Sequence, residues 1–367
     1  MHLGVTMKFR VATRKSALAL AQTTMAADAI VAANSAQNAE LSYELVSMTT
    51  EGDRRLDKSL ASFGGKGVFI KELEIALLEN RADIAVHSLK DMPAEVLPDF
   101  KLAAVLKRED PRDAFLSRGG AAGVRFMDLP AGSRVGTGSI RRIVQLKALR
   151  PDLEYVPIRG NIQTRIGKLA DLDGVVLAAA GLKRMGLADK VTEYFSTEQV
   201  LPASGQGILA IETLSDNGAR HSEQYKNAKP FQPLAPAPEP GEESSEIHDS
   251  IVQMLARVND VESFCVASAE MAYLKALNAG CQFPVASFAE FFGDDGSESG
   301  KCESVAHEKC ANRITKSLKI RGIYWDEKSE KLLRAECVGT VELNSPDCVQ
   351  HAKNLGVALA QEIQKQL

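Results

Sequence analysis

Short apolar runs alternate with helical patterns through the first two-thirds of the chain. The first cycle consists of a strand "FRVAT", a helix "SALALAQTTMAADAIVAAN" and a strand "YELVSM", and then a second helix and strand in "VFIKELEIALLENRADIAVHSL". Ser16 stands where it can cap the start of the first helix. Strands that alternate with amphipathic helices predict an α/β fold.

A second cycle repeats this pattern. Its elements are "SRVGTGS", "IRRIVQLKALR", "LEYVPIRG", "NIQTRIGKLADL" and "GVVLAAAGL". The predicted crossovers are "LKREDPRDAF" and "LPASGQG", and "ILAIET" is a strand that would return to the first lobe. Two such lobes enclose a cleft, as in periplasmic binding proteins, and helix N-termini that point into it can bind carboxylates or phosphates.

The last third of the chain has a different composition. Residues 215–258 include "KPFQPLAPAPEPGEESSE", which predicts a mobile linker or insertion. A smaller α+β domain follows, with a helix, two strands "SLKIRGIYW" and "LLRAECVGTVEL", and a final helix. The predicted division is 7–107 with 207–220 for domain 1, 112–201 for domain 2, 221–259 for the linker and 260–367 for domain 3.

The overall composition is that of a globular protein with two or three domains. The chain has 367 residues, of which 45% are hydrophobic and 25% charged. It shows neither an apolar run of membrane-spanning length nor the pattern of a secretory signal. The expected compartment is therefore the cytoplasm, with no membrane partner.

The charge is unevenly distributed. The net charge is −4, yet residues 1–214 carry 28 Lys and Arg against 25 Asp and Glu. An acidic chain with local arginine enrichment favours a small polyanionic ligand over nucleic acid.

The cysteines all lie late in the chain, at or after Cys265, and none has CxxC spacing. A disulfide framework is therefore not expected. By composition alone Cys281, in "NAGCQFP", is an ordinary half-buried thiol. His87 has no second ligand at metal-site spacing, so no metal site is predicted and a hydrogen-bonding role at the strand end is favoured.

An adjacent Lys90–Asp91 pair follows the apolar run of "ADIAVHSLKDMP". On this stretch alone a solvated turn is the simpler interpretation. Ligands of α/β sheets, however, sit beyond the carboxyl ends of the strands, where this pair is predicted to lie. An acidic side chain there can stabilise a developing cation or accept a proton.

Several arginines occupy strand ends and helix starts in both predicted lobes. Arginine binds carboxylates through two parallel hydrogen bonds, so such a set predicts a ligand with several carboxylates or phosphates. The six candidates are Arg14, Arg141, Arg142, Arg159, Arg165 and Arg184.

The segment "GGKG", at residues 64–67, ends a long polar loop. It is too short for a phosphate-binding P-loop. A flexible loop that enters a helix and a lid over the cleft are equally good interpretations.

The motifs taken together resemble those of the porphobilinogen deaminase (hydroxymethylbilane synthase) family. The resemblance is dense from about Phe9 to Glu212 and returns around Cys281. The segments that carry it, in family order, are "ATRKSALALAQ", "GGKGVFIKELEIALLENRADIAVHSLKDMP", "REDPRDAF", "GTGSIRR", "RGNIQTR", "AAGLKRMGL", "PASGQG" and "GCQFP".

The resemblance implies a transferase of porphyrin and heme biosynthesis that joins four porphobilinogen molecules head to tail and releases ammonia at each addition. It also implies a covalent dipyrromethane cofactor that primes the reaction from a thioether at Cys281. Each porphobilinogen carries an acetate and a propionate, which accounts for the many arginines. Loss of ammonia leaves a cationic azafulvene, which a carboxylate at Asp91 can stabilise.

The family's site residues carry over to matching positions. Asp91 and Lys90 are the implied catalytic residues. The implied cofactor contacts are Cys281, Lys90, Ser88, Thr137, Ser139, Arg141, Arg142, Arg159 and Arg165. The implied substrate contacts are Arg14, Ser16, Arg159, Arg165, Arg184 and Gln206.

Some positions depart from the family pattern. Gly138 stands where the family usually has Ser, Ala279 precedes Gly280 and Cys281 in place of a glycine, and Met271 replaces an arginine after Glu270. These changes put positioning of the cofactor in question more than substrate binding. A two-lobed protein that binds small anions and a weakly active deaminase paralogue are therefore the alternatives to an active, monomeric deaminase.

Overall fold

The computed structural model describes residues 7–38, 40–50, 70–215, 242–279, 283–293 and 314–367, with side chains from residue 248 onward in the segment that starts at 242. Three features predicted from the sequence lie outside these ranges. They are the "GGKG" loop at residues 64–67, residues 221–241 of the predicted linker, and Cys281.

Thirteen strands and eight α-helices make up the described part of the chain. The strands are β1 Lys8–Arg14, β2 Ser42–Met48, β3 Ile84–Ser88, β4 Phe100–Val105, β5 Asp113–Ser117, β6 Arg134–Gly136, β7 Glu154–Val156, β8 Gly174–Ala178, β9 Glu193–Tyr194, β10 Leu209–Leu214, β11 Val285–Phe292, β12 Thr315–Asp326 and β13 Lys331–Glu342. The helices are α1 Ala17–Asn34, α2 Lys71–Leu78, α3 Ile140–Leu149, α4 Ile162–Gly167, α5 Ala179–Arg184, α6 Glu242–Val258, α7 Val261–Ala276 and α8 Cys348–Gln364.

The first lobe is built on a five-stranded mixed sheet with the order β2-β1-β3-β10-β4. β1 runs parallel to β2 and β3, and β10 runs antiparallel to β3 and β4. The predicted return of "ILAIET" to this lobe is confirmed, since β10 pairs its Ala210 with His87 of β3.

The second lobe repeats the design. Its sheet has the order β7-β6-β8-β5-β9, with β6 parallel to β7 and β8 and with β5 antiparallel to β8. In both sheets a parallel trio is therefore followed by an antiparallel neighbour. This repetition confirms the predicted α/β class with two similar lobes.

The C-terminal part is α+β, as predicted. β11, β12 and β13 form an antiparallel meander, and α7 and α8 pack on each other and on its strands. The two helices approach closely at Gly356, where a Cβ would collide with the carbonyl oxygen of Ala269. Met271 and Ala279 both pack in the apolar core of this part.

Helix α6 differs from the sequence prediction, which assigned its residues to a linker. Its Ile251, Met254 and Leu255 are buried in the apolar core of the first lobe. Asn34, at the end of α1, donates from Nδ2 to the carbonyl of Met254 at 3.2 Å. The spacing of these apolar residues is that of an amphipathic helix. The domain boundaries drawn from the sequence stay a prediction.

None of the helices within the described ranges is long and apolar enough to cross a membrane.

Candidate active site

The Lys90–Asp91 pair lies in a short 3₁₀ turn, Leu89–Asp91, at the carboxyl end of β3. Leu89 is buried, and its N–H donates to the carbonyl of Ile208 at 3.0 Å. Asp91 is exposed and Lys90 is partly buried. Buried Leu89 therefore anchors the turn to the core, while Asp91 is exposed at the end of the turn.

Lys90 sits among charges from both lobes. Burial lowers its pKa to about 8, and Arg142 and Arg141 also lower the pKa, whereas Asp91 and Asp113 raise it. Lys90 therefore lies within electrostatic range of the second lobe's arginine pair, although β3 belongs to the first lobe.

Arg141 and Arg142 begin α3, and both bind one buried carboxylate, Asp113 at the start of β5. Arg141 Nη2 lies 2.7 Å from Oδ2, and Arg142 Nη2 and Nε lie 2.7 and 3.0 Å from Oδ1. The other Nη atoms donate to the carbonyls of Leu201 and Val176. All three charged side chains are more than nine-tenths buried.

The electrostatics of this cluster are set by competition between burial and pairing. Burial acts to raise the pKa of Asp113, but Arg141, Arg142 and hydrogen bonds from Arg142 and Gln206 outweigh it and hold the pKa well below its ordinary value. Burial lowers the pKa of Arg141, and Asp113 opposes this shift. Asp113 is thus an ionised acceptor between two cations. This role was not predicted from the sequence, although the "REDPRDAF" motif contains Asp113.

Arg165 lies in α4, whose N-cap Asn161 accepts from the N–H of Thr164 at 2.8 Å. Its Nε donates to the carbonyl of Gly160 at 2.8 Å. Burial lowers the pKa of Arg165, as do Arg142 and Arg159, and Asp91 acts to raise it. Arg165, in the second lobe, therefore lies within electrostatic range of Asp91 in the first lobe.

Thr137 and Ser139 lie in the turn between β6 and α3. Thr137 is fully buried and its N–H donates to the carbonyl of Val156 at 3.0 Å, while Ser139 N–H donates to Thr137 Oγ1 at 3.4 Å. A Cβ on Gly138 would lie 2.6 Å from the carbonyl oxygen of Ile158. In this chain, glycine at 138 lets the turn approach the neighbouring turn that carries Arg159.

Gln206 and Arg184 lie against the two crossovers. The Gln206 side chain is buried and donates to the carbonyl of Pro111 at 2.6 Å and to Asp113 Oδ1 at 2.9 Å. Arg184 Nη2 donates to the carbonyl of Gly207 at 2.7 Å. Burial lowers the pKa of Arg184 to about 10, and Glu109 opposes this shift.

Arg14 and Ser16 lie where β1 leads into α1. Ser16 Oγ accepts from the N–H of Ala19 at 3.3 Å, which confirms the predicted helix cap. The first turn of α1 contacts α5 of the second lobe, where Leu18 lies beside Gly181. One turn further along α1, Ser88 Oγ of the first lobe donates to Gln22 Oε1 at 3.2 Å. The start of α1 therefore lies between the two lobes.

A second buried carboxylate joins the C-terminal part to the crossovers. Glu270 of α7 is fully buried and accepts from Arg108 Nη1 at 2.7 Å, from the N–H of Ala289 at 2.7 Å and from the N–H of Gly205. Arg108 also donates from Nε to the carbonyl of Gln206 at 2.9 Å. No role for Glu270 was predicted from the sequence.

The expected hydrogen-bonding role of His87 is confirmed. Its Nε2 lies 3.0 Å from Oε2 of Glu212 on the neighbouring strand, and both side chains are buried. This pair lies within β3 and β10, one residue before Ser88.

These contacts bring Lys90, Asp91, Arg141, Arg142 and Arg165 into one electrostatic neighbourhood at the meeting of two α/β lobes. An exposed carboxylate within electrostatic range of several cations suits chemistry on an anionic substrate in which positive charge develops. The fold and the site therefore favour an enzyme that acts on an anionic substrate.

The family model described as "Porphobilinogen deaminase, dipyromethane cofactor binding domain" matches residues 9–222. Porphobilinogen deaminase of Syntrophus aciditrophicus is 40% identical over 358 residues, which cover 96% of this chain and 94% of that protein. Porphobilinogen deaminase of Sorangium cellulosum is 39% identical over 356 residues, which cover 96% and 97%. This chain belongs to the porphobilinogen deaminase family, and it is a transferase with the deaminase activity of that family.

Among solved structures, a lipoprotein of the YaeC family from Enterococcus faecalis aligns with a TM-score of 0.33 at 14% identity, over 68% of this chain and 97% of that one. A similarity this low supports no conclusion about a ligand.

Proposed function

We propose that this chain condenses four porphobilinogen molecules head to tail, with release of ammonia, at a site centred on Asp91. The observation that supports this proposal is the convergence on Asp91 and Lys90 of arginines from the opposite lobe. One placed carboxylate and several cations match a substrate that bears carboxylates and passes through a cation.

Asp91 is the carboxylate that stabilises the cation left on the substrate when ammonia departs. It is exposed at the end of a turn that buried Leu89 holds in place, so it can meet successive substrate units at one position. The same carboxylate can then accept the proton that the new pyrrole unit loses. A placed charge of this kind contributes about 3–4 kcal/mol to lowering the barrier.

The proposed substrate contacts and cofactor contacts overlap. The proposed substrate contacts are Arg14, Ser16, Arg159, Arg165, Arg184 and Gln206. Arg165 lies in electrostatic range of Asp91, so it is the arginine best placed for a carboxylate of the reacting unit. Gln206 contributes through its hydrogen bonds to Asp113 and Pro111.

The donor set also fits a dipyrromethane, whose side chains are carboxylates. The groups that would hold it are Lys90, Ser88, Thr137, Ser139, Arg141, Arg142, Arg159 and Arg165, with a thioether to Cys281. The cofactor supplies the pyrrole end from which the chain of units grows. Lys90 and the arginines would bind its carboxylates and would so orient it toward Asp91.

A monomeric, cytoplasmic enzyme with domains at the predicted boundaries completes the proposal. The free thiols of Cys265, Cys337 and Cys348 fit a reducing compartment. The molar mass of the purified protein, measured by analytical ultracentrifugation, tests whether it is a monomer.

Intact-protein mass spectrometry tests the proposed attachment. Wild-type protein folded with porphobilinogen should carry the added mass of one dipyrromethane. Cys281→Ala should lack this mass and turn over no substrate, whereas the matched control Cys337→Ala should keep both. An adduct that persists in Cys281→Ala would overturn the assignment of this cysteine.

A further inference from the structure

We propose that Asp113 is a positioning residue of this enzyme: it holds Arg141 and Arg142 as one rigid pair and balances the positive charge of Lys90. The inference rests on the proposed roles of these three cations. It gives a role to Asp113, the fourth charged residue of this cluster, whose side chain is buried.

The contacts of Asp113 leave little freedom to the two arginines. Oδ2 accepts from Arg141, and Oδ1 accepts from Arg142 and from Gln206. Each guanidinium also donates to a main-chain carbonyl of the second lobe, at Leu201 or Val176. Both planes are therefore fixed before a ligand arrives, which reduces the conformational entropy that binding would cost.

The position of Asp113 also links the two lobes. It follows directly on the first crossover, and Gln206 reaches it from the second crossover. The carboxylate therefore sets where the arginine pair stands relative to Lys90, which belongs to the first lobe.

The charge of Asp113 acts on Lys90 as well. Among the described residues, the charges that act on Lys90 include Asp91 and Asp113, which raise its pKa, and Arg142 and Arg141, which lower it. Neutralising Asp113 would remove one of the negative charges that oppose Arg141 and Arg142. Lys90 would then lose its proton at a lower pH, and with it the ability to bind a carboxylate.

The pH dependence of Lys90 acetylation by acetic anhydride tests this inference without relying on turnover. Mass spectrometry of the peptide that contains Lys90 gives the reaction rate at each pH, which reports the neutral fraction of the amine. In Asp113→Asn the midpoint should move down by about one pH unit, from about 8 to about 7. The neutral fraction of the amine, and with it the rate at pH 7, should then rise about fivefold. The control Asp110→Asn alters the same crossover, where Asp110 pairs with Arg112 and Lys183, and should leave the midpoint unchanged.

Arg141→Gln provides the opposite test, which also serves if Asp113→Asn does not fold. Loss of this cation should move the midpoint of Lys90 to higher pH. Asp113→Glu restores the charge and should return the midpoint toward the wild-type value. Midpoints that are the same in Asp113→Asn, Arg141→Gln and wild type would overturn the inference.

Kinetics separate this inference from the proposed function. With porphobilinogen, the alkaline limb of kcat/KM should move with the Lys90 midpoint in each variant. A wild-type enzyme whose kcat/KM has no alkaline limb contradicts the proposed role of Lys90. If wild type has an alkaline limb of kcat/KM and the variants do not shift it, the role of Asp113 is contradicted and the proposed function is not.

Discussion

The guanidinium of Arg108 lies against the carboxylate of Glu270, with 2.7 Å between Nη1 and Oε1. Arg108 belongs to the first crossover and Glu270 to α7 of the C-terminal part, and both are buried or nearly so. Glu270 also receives the N–H of Gly205 from the second crossover. One carboxylate therefore ties the part that precedes Cys281 to both connections between the lobes.

Glu270→Ala should destabilise the protein by about 3–5 kcal/mol, because it leaves the buried guanidinium of Arg108 without its carboxylate. The free energy of unfolding in urea measures the change. The control is Glu95→Ala, which removes an exposed partner of Lys275 at the same distance of 2.7 Å and should cost less than about 1 kcal/mol. Equal losses in the two variants would contradict the linking role of Glu270.

Lys90→Met should stabilise the cofactor-free protein at neutral pH and reduce the activity of the loaded enzyme. The pKa of Lys90 is lowered from 10.5 to about 8 on folding, so the unfolded chain binds the proton more tightly. The charged amine of Lys90 therefore lowers the free energy of unfolding of wild type. This effect is complete below pH 8 and disappears as the pH rises toward 10.5.

The free energy of unfolding of both proteins, measured from pH 7 to pH 10.5, tests this linkage. At pH 7 the free energy of unfolding of Lys90→Met should exceed that of wild type by about 1–3 kcal/mol, and the difference should shrink with rising pH. A difference that grows with pH would show that Lys90 gains rather than loses proton affinity on folding.

Gly138→Ala should push apart the turns that carry Ser139 and Arg159, because its Cβ would lie 2.6 Å from the carbonyl oxygen of Ile158. Crowding of this kind costs about 1–3 kcal/mol of stability. We expect KM for porphobilinogen to rise as well, since Arg159 is a proposed substrate contact. The control is Gly167→Ala in α4, where a Cβ meets no atom within 4 Å. Thermal unfolding and KM measured on both variants decide whether close approach at Gly138 matters.

The sequence predicted the parts of the site that follow from local pattern. The apolar run before Lys90 and Asp91 identified β3, and the sheet rule placed the pair at its carboxyl end, where the structure has it. The helix cap at Ser16 followed from its position before an apolar helix. The repeated strand and helix pattern predicted two similar sheets.

The sequence did not predict the pairings that depend on distant contacts. Asp113 and Glu270 look like ordinary acidic residues in the chain, and only the folded structure shows that each is buried against arginine. Arg141 and Arg142 were expected to await a ligand, yet both already bind Asp113. Helix α6 was missed because the Pro- and Glu-rich segment before it dominated the composition.

The turnover of Asp91→Asn tests the central claim most directly. The substitution keeps the shape of the side chain and removes the charge proposed to meet the substrate cation. We predict that intact mass still shows one dipyrromethane per chain and that kcat falls by about 10²–10³-fold, whereas the surface control Asp128→Asn retains full activity. A loaded Asp91→Asn enzyme that turns over porphobilinogen at the wild-type rate would contradict the assignment of Asp91.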